Sequence, residues 1–580
     1  MRGRYPPCDE AIKWHSKEIQ PTDEGAGLRI YRSIYPESEN DPDVGRLLSM
    51  LGHMPFAITL MARLAKEGLS TANELILAWY KNGPDILPDH HEQNINRSIS
   101  LSIDSKLMKK NPQARILLNI LSFLPAGTTK ATLRWWVPAL DSSLVPSAIA
   151  TLFKTGLLVE NRRQDSESPV LFVLPVVQSF MQQHGRIGED IRQSIRLSCS
   201  QYVLDHDVSF QYDPAFSKLK ALAAEDVNIQ AILCGSPTTQ DSNKLSDKVI
   251  EALISFSWYR CTNAKPNLEV AKHAVLMAEA FGDKKYIASS LGCLGATYGY
   301  LGEFYSAHDH LQEAYQIYNA LHPGDRELQL LYCRCGIGML EVMRNVLFKD
   351  GDELVSLARD IERQAATVSD DDIHARSLMV LGSVLYSNSG DLQEALCHLE
   401  RAKLMRIASG TLNAEVYHWI SVVHYQEKRL PEALDAAEEA WKLSEPRSSL
   451  VNHAINSLLL GAILFTANRD TEAWKYMEIS LMKNLELGNR RDSAATLEYM
   501  GYGYLRKGDY LNAYGSYEAA AESYLGTIDE EPEPDGTTCK DNMAKIKDMQ
   551  KNPDLIVGFK RPRWDINWPS LYYPGAAASA

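Results

Sequence analysis

The sequence predicts a mainly α-helical protein: a helical N-terminal region with one short β-hairpin, followed by a solenoid of stacked helical hairpins. Three observations carry this. A motif of small and apolar residues recurs at a nearly fixed period, the apolar residues around it fall at helical spacing, and strand-like runs are confined to Leu157–Asn161 and Val170–Leu174.

The motif is Leu294, Gly295, Tyr298, Gly302, Ala307, Leu311 and Ala314. With one-residue slips and conservative swaps it returns as Leu381, Gly382, Leu385, Ala395, Leu399, Ala402, and then as Ile420, Ser421, His424, Ala433, Ala437, Ala440. Two further copies are Leu460, Gly461, Leu464, Ala473, Met477, Ser480 and Met500, Gly501, Tyr504, Gly508, Ala513, Tyr517, Ala520. From Gly382 through Ser421 and Gly461 to Gly501 the steps are 39, 40 and 40 residues, and in four of the five copies an alanine follows the small residue twelve positions later. A small residue on each of two antiparallel helices lets them approach closely. One such hairpin cannot bury its apolar faces alone, so it stacks on its neighbours. The pattern resembles the tetratricopeptide repeat, in a variant longer than the usual period of about 34 residues.

The 580 residues are too many for one compact core, and three or four units are expected. No apolar run is long enough to span a bilayer, and Met1–Glu10 lacks the apolar core of a signal peptide. The expected location is therefore cytoplasmic. Nine cysteines without a CxxC pair read as buried small hydrophobes in a reducing compartment, and a net charge of -14 argues against general affinity for nucleic acid or anionic membranes.

In chain order, residues 1–24 read as a linker, with Pro6, Pro7, Pro21 and an isolated Trp14. Ala26–Tyr35 is a short amphipathic helix. Leu47, Leu48, Leu51, Ile58, Met61, Ala62, Leu64 and Ala65 then form an apolar helical face interrupted by Gly52-His53-Met54-Pro55. The proline starts a new helix, and two helices meeting there are expected to leave backbone amide and carbonyl groups free for a ligand's polar edge. From Ala114 to Gln183 three helices (Ile116–Leu124, Leu133–Val137, Ile149–Phe153), the hairpin and a closing helix (Val177–Met181) predict a winged helix. Its third helix, Ser147-Ala148-Ile149-Ala150-Thr151-Leu152-Phe153-Lys154, has one basic residue, so DNA binding is not expected.

Leu51-Gly52-His53-Met54-Pro55-Phe56-Ala57, followed by Trp79 and Ser98–Ser102, resembles the Gly-Leu-Pro-Leu-Ala helix pair of STAND-type ATPases of the NB-ARC class, above all fungal members with C-terminal tetratricopeptide repeats. The resemblance implies a helical ARC-like domain at 25–110 and a winged-helix-like domain at 111–185. In that family the proline backbone lies against the adenine of bound ADP, which implies roles for Gly52 and Pro55. Met1-Arg2-Gly3 resembles the end of the nucleotide-binding core, where an arginine senses the terminal phosphate, which implies that role for Arg2. The chain departs from the family at Leu174-Pro175-Val176, where many members have Met-His-Asp, and by lacking any GxxxxGK loop followed by Ser or Thr. Gly536-Thr537-Thr538-Cys539-Lys540 is the nearest, and it has no preceding strand. The expectation is a chain that begins after the catalytic core, without catalytic residues or a cofactor of its own; ADP or ATP would enter through an upstream P-loop core.

Residues 186–244 are expected to form a helical spacer and linker in which Glu225-Asp226-Val227-Asn228-Ile229 resembles a recurrent fungal segment. The solenoid is expected over 245–527 as about seven hairpins, and 528–580 as an acidic, disordered tail with Trp564, Trp568, Tyr572 and Tyr573 near its end. His90-His91-Glu92 lacks the HExxH spacing, no GxSxG elbow is present, and no metal site is expected.

What remains is recognition. In tetratricopeptide arrays the first helix of each hairpin lines the concave face, which implies a groove carrying Tyr300, Arg376, Tyr386, His418, Tyr425, Phe465, Tyr502 and Arg506, residue types that anchor interfaces. Two functions follow. One is the sensing part of a STAND signalling protein, binding a protein or peptide in the groove and oligomeric in its active full-length state. The other is a nucleotide-independent repeat scaffold.

Overall fold

The computed structural model describes residues 22–551 except 68–70, 82–90, 138–139, 162–168, 184–186, 209–215, 236–246, 263–264, 302, 322–323, 345–350, 445–449, 488 and 526–533. Arg2 and Trp564, Trp568, Tyr572 and Tyr573 lie outside the described residues. The chain divides into two units, one of residues 1–202 with 225–235, the other of 203–224 with 236–580.

The first unit opens with α1 (Glu24–Ile34), α2 (Val44–Met50), α3 (Pro55–Lys66), α4 (Ala72–Lys81), α5 (His91–Ile103) and α6 (Lys106–Lys110). Asp23 caps α1 by accepting from the Ala26 amide, and Tyr31, Leu47, Leu48, Leu51, Ile58, Leu60 and Met61 are buried at the centre. There follow α7 (Pro112–Leu121), β1 (Thr128–Thr129), α8 (Leu133–Trp136), α9 (Val145–Lys154), β2 (Val159–Asn161), β3 (Val170–Phe172), α10 (Pro175–Gln183), α11 (Glu189–Asp205) and α12 (Phe216–Leu233), of which residues 203–205 and 216–224 belong to the second unit. The expected hairpin is β2–β3, in the register Glu160 opposite Leu171. The sequence reading missed β1, which pairs antiparallel with β3, so the sheet runs β1-β3-β2.

Fourteen helices of the second unit pair as hairpins: α13 (Asp247–Thr262) with α14 (Leu268–Phe281), α15 (Lys284–Tyr300) with α16 (Phe304–Leu321), α17 (Arg326–Met343) with α18 (Gly351–Thr367), and α19 (Asp371–Val384) with α20 (Leu392–Ser409). The array continues as α21 (Ala414–Gln426) with α22 (Leu430–Ser444), α23 (Leu450–Thr466) with α24 (Asp470–Leu487), and α25 (Arg490–Arg506) with α26 (Tyr510–Leu525). Asp283, Asp325, Asp370, Asn413 and Asn489 cap first helices through their side chains, each contributing about 1 kcal/mol. One continuous apolar core runs from Ala288 to Tyr499, as stacked hairpins require.

The small residues act as predicted. A Cβ on Gly382 would stand 2.8 Å from Leu399 Cγ and 3.0 Å from the Ala395 carbonyl oxygen. At the equivalent crossing Ser421 donates its hydroxyl to the Ala433 carbonyl at 2.7 Å. Gly382 is the copy whose alanine comes one residue late, and the reason is local: α19 ends in a π-helical turn, Leu385–Ser389, which absorbs an extra residue. The left-handed turn residue slips with it. It is Lys428, Asn468 and Gly508 in the later hairpins, each seven positions after the small residue, but Gly390 here, eight positions after.

The expected disordered tail needs correction. Residues Pro534–Lys551 form α27, which packs on α26 with Cys539 and Ile546 fully buried beside Tyr517, Ala521 and Tyr524. The acidic, proline-rich run before it concealed an end cap for the array.

Candidate functional site

Two places answer to the expected sites. The first is the bend before α3. Gly52 and His53 both have positive φ, 60° and 52°, and Pro55 opens α3. The amides of Gly52, His53 and Met54 donate to Ser49, Leu48 and Leu51 carbonyls, and the His53 carbonyl accepts from Thr22 through both its amide and its hydroxyl, the latter at 2.7 Å. The amides of Gly52, His53 and Met54 and the carbonyls of His53 and Met54 are therefore bonded within the chain, while no side chain caps the first turn of α3. His53 Nδ1 has no hydrogen-bond partner among the described residues.

The second is the inner layer of the array. First helices of successive hairpins pack on each other, α13 on α15, α15 on α17, α17 on α19, α19 on α21, α21 on α23 and α23 on α25, while successive second helices pack on each other less. That proximity corrects part of the expected groove. Tyr300, His418 and Phe465 are buried, because positions flanking the small residue face the next hairpin as much as the interior. Phe465 stands edge-on to Trp474 at 5.7 Å, and His418 Nδ1 pairs with Asn456 Oδ1 at 3.0 Å. Burial pushes the His418 imidazole down to about 4. The remaining five residues keep exposure. Tyr386 tilts against Trp419, Tyr425 shares a hydrogen bond with Thr466, Tyr502 is half-buried, and Arg506 donates to Asn468 Oδ1 and faces Asp470. Arg376 donates to both oxygens of Glu341, at 3.0 and 3.3 Å.

Around Arg376 lies a charged cluster that the sequence reading missed. Arg344 lies over the Trp419 ring at 4.5 Å and donates to the Ser383 hydroxyl. Arg406, only 1% exposed, pairs with Asp372 at 2.9 Å. Glu415, in the first turn of α21, is 4% exposed, and its Oε2 has no hydrogen-bond partner among the described residues. Burial, reinforced by Glu341, pushes its carboxyl up to about 7 against the pull of Arg376, Arg406 and Arg344. The signal was legible only as charged residues inside otherwise apolar first helices, such as Glu341 between Leu340 and Val342.

Among the described residues, no group of three or more His, Cys, Asp or Glu side chains could hold a metal, and no helix is long and apolar enough to cross a membrane.

A tetratricopeptide-repeat family model matches residues 287–325, the stretch that holds α15 and α16. No curated protein matches the chain. Among solved structures it is similar to a STAND protein with a tetratricopeptide-repeat sensor from Pyrococcus horikoshii, at 13% identity and a TM-score of 0.37, over 87% of this chain and 73% of that one. It is similar to a Rap protein complexed with Competence and Sporulation Factor at 14% identity and a TM-score of 0.42, over 64% and 93%. The aspartyl phosphate phosphatase F of Bacillus subtilis is similar at 14% identity and a TM-score of 0.39, over 59% and 89%. The chain is a tetratricopeptide-like helical repeat protein in fold.

Proposed function

We propose that the chain is a recognition protein that holds a segment of another protein along the inner layer of its repeats. The observation that carries this is the residual exposure of Arg376, Tyr386, Tyr425, Tyr502 and Arg506 on first helices whose other faces are packed. Aromatic rings and guanidinium groups give large contact area and directional hydrogen bonds at little entropic cost, which is why they anchor interfaces. The test is a peptide array probed with the whole chain. Selected peptides should bind the wild type and weaken about tenfold or more on Tyr386→Ala and Tyr502→Ala, a hot-spot-sized loss. Affinities untouched by both substitutions, with the helical content retained, would contradict the reading.

We further propose that residues 1–235 are the switch portion of a STAND protein, with α7, β1, α8, α9, β2 and β3 as its winged helix and the repeats as its sensor. Three helices and a three-stranded antiparallel sheet in that order support it, as does the proline that opens α3. The lone basic residue of α9, Lys154, is paired with Glu67 at 3.1 Å, which speaks for a relay and against a DNA reader. The competing reading, a nucleotide-independent scaffold, is favoured by the bend, where the amides of Gly52, His53 and Met54 are bonded internally. Calorimetry with ADP and ATP, on this chain and on one extended upstream to include a P-loop core, separates the two. Binding by the extended chain alone supports the switch, and binding by neither leaves the scaffold.

A further inference from the structure

We propose that the inner face formed by α17, α19 and α21 takes an acidic peptide segment, one carboxylate of which sits beside Arg344 and Arg376 and accepts a hydrogen bond from Glu415 in its protonated form. This rests on the reading that the inner layer binds a protein segment, and adds the chemistry of that segment.

The starting point is Glu415 Oε2, a buried carboxyl oxygen that meets no donor among the described residues although three guanidinium groups act on its carboxyl. A buried polar atom left unmet costs free energy, and where one persists its partner is to be sought outside the resident side chains. The groups facing Glu415 come from every element around it: Glu341 and Arg344 from α17 and its end, Arg376 from α19, and Arg406 from α20. Its own helix adds His418, and α23 adds the neutral Asn456 that holds His418. His418 stays uncharged near neutral pH, because burial holds it down to about 4. Three guanidiniums thus stand with Glu341, Glu415 and the Asp372 that pairs with Arg406, a cluster in balance when Glu415 is ionised and one positive charge in excess when it is protonated.

That balance selects the ligand. An ammonium group would enter among three like charges, and an apolar side chain would leave Oε2 unmet. A carboxylate is an acceptor only, and it suits both a guanidinium donor and the O–H of a protonated glutamic acid. Arg376, with 21% of its side chain exposed, and the half-buried Tyr386 are the parts of this face from which such a group would be met.

Docking is then coupled to a proton. An incoming anion raises the cost of a second charge at Glu415, which takes a proton from solvent as the segment binds, one H⁺ added to one carboxylate to give one carboxylic acid. Affinity for an acidic segment accordingly falls as pH rises through about 7.

The experiment is fluorescence anisotropy of fluorescein-labelled hexaglutamate with the full chain at fixed ionic strength, at about pH 6 and about pH 8.5, with hexalysine and a Gly-Ser hexamer as comparators. The expected result is binding of hexaglutamate at the lower pH and a loss of about tenfold at the higher one. Glu415→Gln should hold the low-pH affinity at both, and Arg376→Gln should weaken binding about tenfold at the lower pH. Hexaglutamate binding no tighter than the Gly-Ser hexamer, or a pH dependence that survives Glu415→Gln, overturns the proposal. If the array yields peptides but none prefers acidic residues, this inference fails while the broader reading stands. If no peptide binds in either experiment, both fail. Should Arg376→Gln unfold, the Glu415→Gln comparison decides alone.

Discussion

Glu225 and Glu415 are both glutamates shut away from solvent, 2% and 4% exposed, the first beneath the small sheet of the N-terminal unit and the second in the inner layer of the repeats. Burial pushes both carboxyls up. What separates them is their donors. Glu225 accepts from Thr128 Oγ1 at 3.1 Å and from Asn228 Nδ2 at 2.6 Å, and Asn228 also bonds the Gly127 carbonyl and the Ala126 amide, so one helix face fastens the turn before β1. Glu415 has charges around it but an oxygen without a donor among the described residues. The lesson is that a buried carboxyl with its bonds complete is part of the scaffold, and one left incomplete is where a ligand's chemistry is to be sought.

The sharpest way to break this contrast is Asn228→Ala. It strips a donor from Glu225 and leaves the Gly127 carbonyl and Ala126 amide unmet, at an expected cost of about 3 kcal/mol. Faster hydrogen exchange confined to peptides covering α7–α10 would report it, and unchanged exchange there would remove Glu225 and Asn228 from the scaffold. Glu415→Gln should do the opposite. A carboxyl whose folded pKa is raised from 4.5 to about 7 costs stability progressively as pH climbs through that window, so the substitution should stabilise the repeats by about 3 kcal/mol at pH 8 and by nothing well below pH 4.5. Denaturant midpoints across pH check this.

A third prediction concerns His418. Its folded pKa is depressed from 6.5 to about 4, so its contribution is intact above 6.5 and is lost as pH falls toward 4. Between 4.5 and 6.5 this slope opposes that of Glu415, and the wild type should be nearly flat. In Glu415→Gln the acid-side loss should emerge, and a flat profile in both proteins would contradict the assignment. The smallest effect is expected at the bend: Thr22→Val removes one partly exposed hydrogen bond to the His53 carbonyl while the amide bond remains, a change of about 1 kcal/mol or less in thermal stability.

The repeats were legible because close helix crossings demand small residues, and these recur in sequence at Gly295, Gly382, Ser421, Gly461 and Gly501. Even the irregular copy was visible as a one-residue slip, although its cause, the π-helical turn at Leu385–Ser389, needs coordinates. Strand β1 was missed because two threonines carry no periodicity, and α27 because an acidic, proline-rich run precedes it. Of the residues expected to line the groove, Arg376, Tyr386, Tyr425, Tyr502 and Arg506 keep exposure, but Phe465 ends the unbroken apolar run Leu458–Phe465 of α23, and a helical stretch apolar all round is buried all round. Glu341, Arg344, Arg406 and Glu415 come from three hairpins, and only stacking brings them together.

Isothermal titration calorimetry tests the central claim most directly. Hexaglutamate titrated into the full chain near pH 7.5, in two buffers of low and high ionisation enthalpy, gives the number of protons exchanged on binding. The account predicts uptake of about half to one proton by the wild type and none by Glu415→Gln. Equal heats in both buffers for the wild type would contradict it.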